Sequence, residues 1–331
     1  MKINGNIANI VPYNVEILQK SVKRFHANES QVPILPFDLL MKNVEYIPLN
    51  FYPEEISENL QKCASMFYKT QFIIPTNGSD EGLDLAIRSL CNAKDVAVVL
   101  KPTFGMYKQY CEIAGLKVFE VALNENFVLD VDKLIEFCQS VNAKILFVPN
   151  PLAPSGGITN YENLLKIVKS LMQTFVVIDE AYIEFSRVES MVQFVEIHKN
   201  LVVARTLSKF FGLAGIRLGF IFTSFKSEIL KVKAPYNINA ITAQIGINLF
   251  QNITQEIISQ KCFLNQKKRI EITQWLKKFN EVEKIYESDA NFLFFKVYGN
   301  SSEFAEKILQ EYGMKIKDFS GMFSQFCRIS L

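Results

Sequence analysis

This sequence is poor in the residues that build metal centres and redox pairs. It has two histidines in 331 residues, and its six cysteines (Cys63, Cys91, Cys111, Cys138, Cys262, Cys327) are scattered, with no CxxC pair. Neither a zinc site nor a disulfide framework is indicated, and the thiols read as reduced, mostly buried side chains. Charge of one sign is missing too. With 36 basic against 34 acidic residues the formal charge is +2, which gives no electrostatic footprint for nucleic acid or an anionic membrane. A small molecule is therefore the expected partner. No apolar run approaches the roughly 18 residues of a membrane span. The start MKINGNIANIVPYN carries no apolar signal core, so the expected location is cytoplasmic. Internal repeats and low-complexity segments are also lacking.

What is present is length and apolar content. A chain of 331 residues, 49% hydrophobic, exceeds one simple core and suggests a large domain with a smaller companion. Short β-branched and aromatic runs alternate with helical patterns, which predicts an α/β fold with a mostly parallel central sheet flanked by helices. The predicted strands are Asp95–Leu100, Lys117–Val121, Lys144–Val148, Thr174–Asp179, Leu201–Arg205 and Leu218–Thr223. Most are apolar throughout, as strands covered on both faces must be. Helices are predicted at Ser79–Leu90, Met106–Ala114, Val131–Gln139, Glu162–Met172 and Ser190–His198. The expected division is an arm over residues 1–40 that joins the small domain, a large domain over 41–235 and a small α+β domain over 236–331. In the last, one long helical stretch (Ala243–Phe279) precedes a strand at Asn291–Val297 and a helix at Ser302–Tyr312.

Chemistry concentrates in two segments, VVIDEAYIEF (Val176–Phe185) and RTLSKFFGLAGIRLGF (Arg205–Phe220). Each follows a predicted strand. A right-handed crossover between those strands makes them parallel and brings Asp179 and Lys209 to one carboxyl edge, where ligands bind in open α/β sheets. A lysine among small and apolar residues there is placed to form a Schiff base with an aldehyde cofactor. Asp179 supplies the other half of the electronics, because pyridoxal 5′-phosphate (PLP) is an electron sink only while its pyridine nitrogen is protonated. Tyr182 is within reach of the cofactor's ring oxygen, and Arg217 with the hydroxyls of Thr206 and Ser208 offers a fork for its phosphate. Gly78, Ser79 and Asp80 open a predicted helix, which taken alone reads more readily as an ordinary N-cap than as a phosphate site.

These stretches, with VPYN, NFYPE, KPTFGMY, APYNINA, ANFLFFKV and FCRIS, make the sequence resemble the fold type I PLP-dependent enzymes. Within them it is similar to the histidinol-phosphate aminotransferase group and its phosphothreonine-decarboxylase relatives. The resemblance implies that Lys209 is the Schiff-base lysine and proton shuttle, that Asp179 pairs with the pyridinium and that Tyr182 contacts the ring oxygen. It implies that Gly78, Ser79, Asp80, Thr206, Ser208 and Arg217 hold the phosphate, and that Phe104 stacks on the ring. Tyr52 would reach the cofactor of a neighbouring subunit, which implies a homodimer with shared active sites. Arg328 would bind the substrate's acidic group, with Tyr13, Lys317 and His26 nearby. Two departures stand out. Leu152 and Ala153 in PNPLAPSGG occupy places where the family sets an asparagine against the ring oxygen, and Lys317 replaces an arginine.

The resemblance implies an aminotransferase that moves nitrogen between an amino acid, glutamate first, and a small phosphorylated keto compound. A decarboxylase of O-phospho amino acids would use the same cofactor site, and a non-catalytic PLP-binding protein is the third reading.

Overall fold

The structure is a computed structural model that describes residues 4–8, 10–12, 17–321 and 323–331. Its strands are β1 (Lys23–Phe25), β2 (Ile73–Thr76), β3 (Val96–Lys101), β4 (Lys117–Ala122), β5 (Ile145–Pro149), β6 (Phe175–Asp179), β7 (Leu201–Thr206), β8 (Gly219–Thr223), β9 (Val282–Ile285), β10 (Phe292–Val297), β11 (Met314–Asp318) and β12 (Phe326–Ser330). The α-helices are α1 (Phe37–Leu40), α2 (Glu54–Tyr68), α3 (Gly78–Leu90), α4 (Met106–Ile113), α5 (Val131–Ser140), α6 (Tyr161–Ser170), α7 (Lys226–Val232), α8 (Ala240–Asn252), α9 (Gln255–Leu276) and α10 (Ser301–Tyr312).

Seven strands form the large sheet in the order β2-β8-β7-β6-β5-β3-β4. The run from β7 to β4 is parallel, and β8 is antiparallel to both β7 and β2. The pleat sends alternate side chains to opposite faces. Val176, Ile178, Leu201 and Val203 join one core, whereas Val177, Val202 and Ala204 join another. Helices α2, α5, α6 and α8 cover the first face, and α3, α4 and α7 cover the second. All seven of those strand side chains are inaccessible to solvent, and each of the valines, leucine and isoleucine contributes roughly 1.5–3 kcal/mol of transfer free energy.

Three expectations about elements change. Ser190–His198 is not an α-helix; only Met191–Phe194 winds into a 3-10 turn. The buried Glu180 carboxylate accepts bonds from the Ser190 hydroxyl and the Met191 N–H, both at 2.6 Å, which pulls that end of the segment onto the strand edge. The stretch Ala243–Phe279 is two helices, because Thr254 caps α9 by accepting from the Ile257 N–H. The residues after 235 do not form one unit either. Ala243, Ile245, Ile247 and Leu249 of α8 pack in the large core, since α8 is apolar enough to bury several faces.

The small body is a five-stranded sheet, β1-β11-β12-β10-β9, in which β1 pairs in parallel with β11. Its core collects Leu276, Leu293, Phe295, Phe304, Ile308 and Ile329. The N-terminal segment thus adds an edge strand to the C-terminal sheet, and residues 26–28 run from that edge toward the large body.

Candidate active site

Asp179 is the last residue of β6, in register with Ala204 of β7, so it and Lys209, three residues past the end of β7, emerge at the same edge. Asp179 is 7% exposed. Its Oδ2 accepts from the Tyr107 hydroxyl at 2.6 Å and its Oδ1 from the Ala181 N–H at 3.1 Å. Burial pushes the carboxyl up to about 6, with Asp80 adding to the rise; the bonds from Tyr107 and Ala181 and the charge of Lys209 oppose it. Burial, and then the carboxylate, hold the Tyr107 phenol well above its ordinary value. Its ring lies stacked on Phe147 at 5.2 Å, which fixes the hydroxyl on the acid. A carboxylate kept out of water in this way is suited to a cationic partner.

The Lys209 amine donates to the Ala27 carbonyl at 3.0 Å and lies 5.9 Å from the centre of the Tyr182 ring. The Tyr182 hydroxyl accepts from the Asn28 side-chain amide at 2.9 Å. Segment 26–28 therefore meets both Tyr182 and Lys209.

Beside them lies an anion cradle. Helix α3 begins at Gly78, and no side chain caps it; Asn77 gives its N–H to Glu81 at 2.6 Å and its amide to Asn237. Asp80 gives its carboxylate to Arg217 at 3.0 Å, so only its backbone N–H is suited to an anion. Arg217 also reaches Ser208 Oγ at 3.3 Å, and Ser208 Oγ accepts from Thr206 Oγ1 at 3.0 Å. Gly78, at φ +69°, leaves the room this requires, because a Cβ there would stand 2.5 Å from an Arg217 nitrogen. The Gly78 N–H is spent on the Arg217 carbonyl at 3.0 Å, so the helix start offers the Ser79 and Asp80 N–H groups. With a guanidinium and two hydroxyls they form a phosphate-binding set, and with the buried acid and the lysine they fit PLP.

Phe104 sits edge-on to Tyr107 at 5.5 Å between ring centres. Arg328 donates to the His26 carbonyl at 3.0 Å and lies over the rings of Phe292 and Phe319. Lys317 stands opposite Arg328 in the β11–β12 register and is exposed. His26 enters the arrangement through its backbone carbonyl. Tyr52 is 74% exposed on the outer surface, stacked on Tyr236 at 4.5 Å, and within this chain it is not among the groups just described. Tyr13 lies outside the described residues. Leu152 is buried, and Asn150 commits both ends of its amide to the Thr159 backbone, at 2.8 and 3.1 Å.

Two further residues escape a local reading. Tyr107 is visible in KPTFGMY, yet its contact with Asp179 spans 72 residues. Asn28 lies in RFHANES, next to the singled-out His26, but its partner is 154 residues away.

The aminotransferase class I and II family matches residues 44–331 of this chain. A histidinol-phosphate aminotransferase of Clostridium kluyveri is 33% identical over 98% of this chain and 93% of its own length. Among solved structures, the histidinol-phosphate aminotransferase of Sinorhizobium meliloti in complex with pyridoxal-5'-phosphate superposes with a TM-score of 0.89 at 19% identity, covering 99% of this chain and 92% of that one. The L-threonine-O-3-phosphate decarboxylase of Porphyromonas gingivalis does so at 0.79 and 19%, covering 94% of each chain. These two likenesses establish the fold type I architecture.

Proposed function

The chain belongs to the class I and II aminotransferases, which are PLP-dependent enzymes, and on that footing we propose that it exchanges nitrogen between glutamate and a small phosphorylated keto compound. Histidinol-phosphate-type and three-carbon amino-alcohol phosphates form the substrate class. The observation that carries this reading is the meeting of the buried acid Asp179, the lysine Lys209 and the uncapped helix with Arg217 at one sheet edge.

Bound PLP supplies an electron sink for the bonds at the substrate Cα. In our reading Asp179, desolvated and fixed by Tyr107, holds the positive charge on the ring nitrogen. The hydroxyl of Tyr182 would hydrogen-bond the cofactor's ring oxygen, and Phe104 would stack on its ring. The N–H groups of Ser79 and Asp80, with Thr206, Ser208 and Arg217 in the space that Gly78 leaves, retain the phosphate. Lys209 Nζ carries the proton to and from the substrate Cα. Arg328 receives the substrate's acidic group with a planar fork, and Lys317, beside it on β11, adds charge without the fork. His26 and Tyr13 complete the assignment on the substrate side. Tyr52, exposed and stacked on Tyr236, contributes to the phosphate site of a second copy, so the working unit is a cytoplasmic homodimer.

The test is the visible spectrum of the PLP-loaded protein before and after L-glutamate, with 2-oxoglutarate measured in the same tube. Loss of the visible band with one 2-oxoglutarate per site is expected. Carbon dioxide release from O-phospho-L-threonine, with no response to glutamate, would overturn transamination.

A further inference from the structure

Asn28, next to the Ala27 carbonyl that receives Lys209, makes four hydrogen bonds that the proposed function does not use. It is 2% exposed and holds φ +55°, a left-handed backbone that among L residues asparagine and aspartate tolerate best. Its N–H donates to Ser330 Oγ at 2.9 Å, and its carbonyl accepts from the Asn291 amide at 3.0 Å. Both partners belong to the small body. Its own amide nitrogen donates to the Tyr182 hydroxyl oxygen at 2.9 Å, while Oδ1 accepts a long bond from Ser330 Oγ at 3.5 Å. The two ends of the amide are therefore distinguished, with the oxygen toward Ser330 and the N–H toward the phenol. A phenol has a single hydrogen, and once its oxygen accepts from an amide that hydrogen must be donated elsewhere.

We propose that Asn28 is a positioning residue for Tyr182: by donating to the phenol oxygen it commits the phenol hydrogen to the cofactor's ring oxygen and ties that bond to the seating of the small body. The inference rests on the reading of Tyr182 given above and adds a residue from the other body to it. Aspartate at position 28 has the same size and tolerates the same backbone, yet a carboxylate only accepts. It would take the phenol hydrogen for itself.

The experiment is a pH titration of the visible absorbance of the PLP-loaded holoenzyme for wild type, Asn28→Ala, Asn28→Asp, Tyr182→Phe and the doubles. A hydrogen bond donated to an anionic ring oxygen stabilises it, so weakening that bond raises the pH midpoint. The midpoint is expected to rise by about one pH unit in Asn28→Ala and further in Asn28→Asp, and neither change should add to the rise caused by Tyr182→Phe. In kinetics kcat should fall more than KM rises. An unchanged midpoint in Asn28→Asp, or equal shifts with and without the Tyr182 hydroxyl, would overturn the proposal. A Tyr182→Phe holoenzyme with the wild-type midpoint would instead overturn the reading of Tyr182 beneath it, and the role of Asn28 with it.

Discussion

Asp179 shows how one residue can carry a stability cost in the free protein and a binding function in the loaded one. Its folded carboxyl titrates near 6 because burial disfavours the anion, against 3.8 for the free side chain. Below about pH 4 both folded and unfolded chains hold the proton, and the position costs nothing. As pH rises from 4 to 6 the unfolded chain releases its proton first, so stability falls across that window. The loss levels off above about pH 6 at roughly 3 kcal/mol, because each tenfold difference in proton affinity between the two states is worth about 1.4 kcal/mol. In PLP-free protein, Asp179→Asn should therefore raise the melting temperature relative to wild type more at pH 7.5 than at pH 4.5. An equal difference at both pH values would argue against this account. PLP affinity should move the other way, weakening as acid below 6 neutralises Asp179.

What is legible at the residue scale is what stands close in sequence. Asp179, Tyr182, Lys209 and Arg217 lie in two short segments behind strands, so order and spacing alone bring them to one edge. Tyr107 and Asn28 act on them through contacts 72 and 154 residues apart, and no local pattern encodes such a distance. The sequence leaves the amide of Asn150 open, because whether it turns to the site or to Thr159 depends on the loop's return path.

At the scale of elements, the seat of α3 on β8 has little room to give. A Cβ at Gly219 would stand 2.5 Å from Gly78 C and from Ser79 N and 2.8 Å from Arg205 O, all of them backbone atoms that cannot rotate away. Gly219→Ala must lift the helix start from the sheet. Overpacking of this kind costs about 1–3 kcal/mol, and the displaced N–H groups should weaken PLP binding by roughly tenfold or more, since about 1.4 kcal/mol is tenfold in affinity. Equilibrium dialysis and thermal melts of Gly219→Ala check both; wild-type PLP affinity in this variant would show that the helix start does not hold the phosphate. The central strands are readable because burial on both faces leaves uniform apolar runs. The strands β1, β9, β11 and β12 are not, because charged residues interrupt them (KRF, VEKI, MKIKD and FCRIS), and β2 (IIPT) carries a proline. The break between α8 and α9 is carried by a lone Thr254 inside a continuous helical period.

At the scale of the whole molecule, the N-terminal segment crosses to the C-terminal sheet through β1 and β11, and α8 stays with the large body. Order along the chain is thus a poor guide to which body owns a segment after residue 235. The outer surface poses the remaining question. Tyr46, Leu49, Phe51 and Tyr52 are each more than 70% exposed, at 77%, 76%, 71% and 74%, and Ile241 beside Tyr236 adds 39%. Scattered apolar side chains are ordinary on a surface, but a contiguous group marks a contact. A two-fold dimer would cover this group twice, as self-complementary interfaces do, and in the proposed reading would bring Tyr52 to the partner's phosphate site. Leu49→Asp should then yield a monomer in sedimentation and a marked loss of PLP affinity together. Tyr52→Phe should keep the dimer and lose only the contribution of one hydroxyl bonded to a charged group, about 1.5–3 kcal/mol, or roughly ten- to a hundredfold in affinity. A wild-type protein that sediments as a monomer at micromolar concentration and binds PLP as tightly as before dilution would overturn the shared site, and Tyr52 would revert to a surface aromatic.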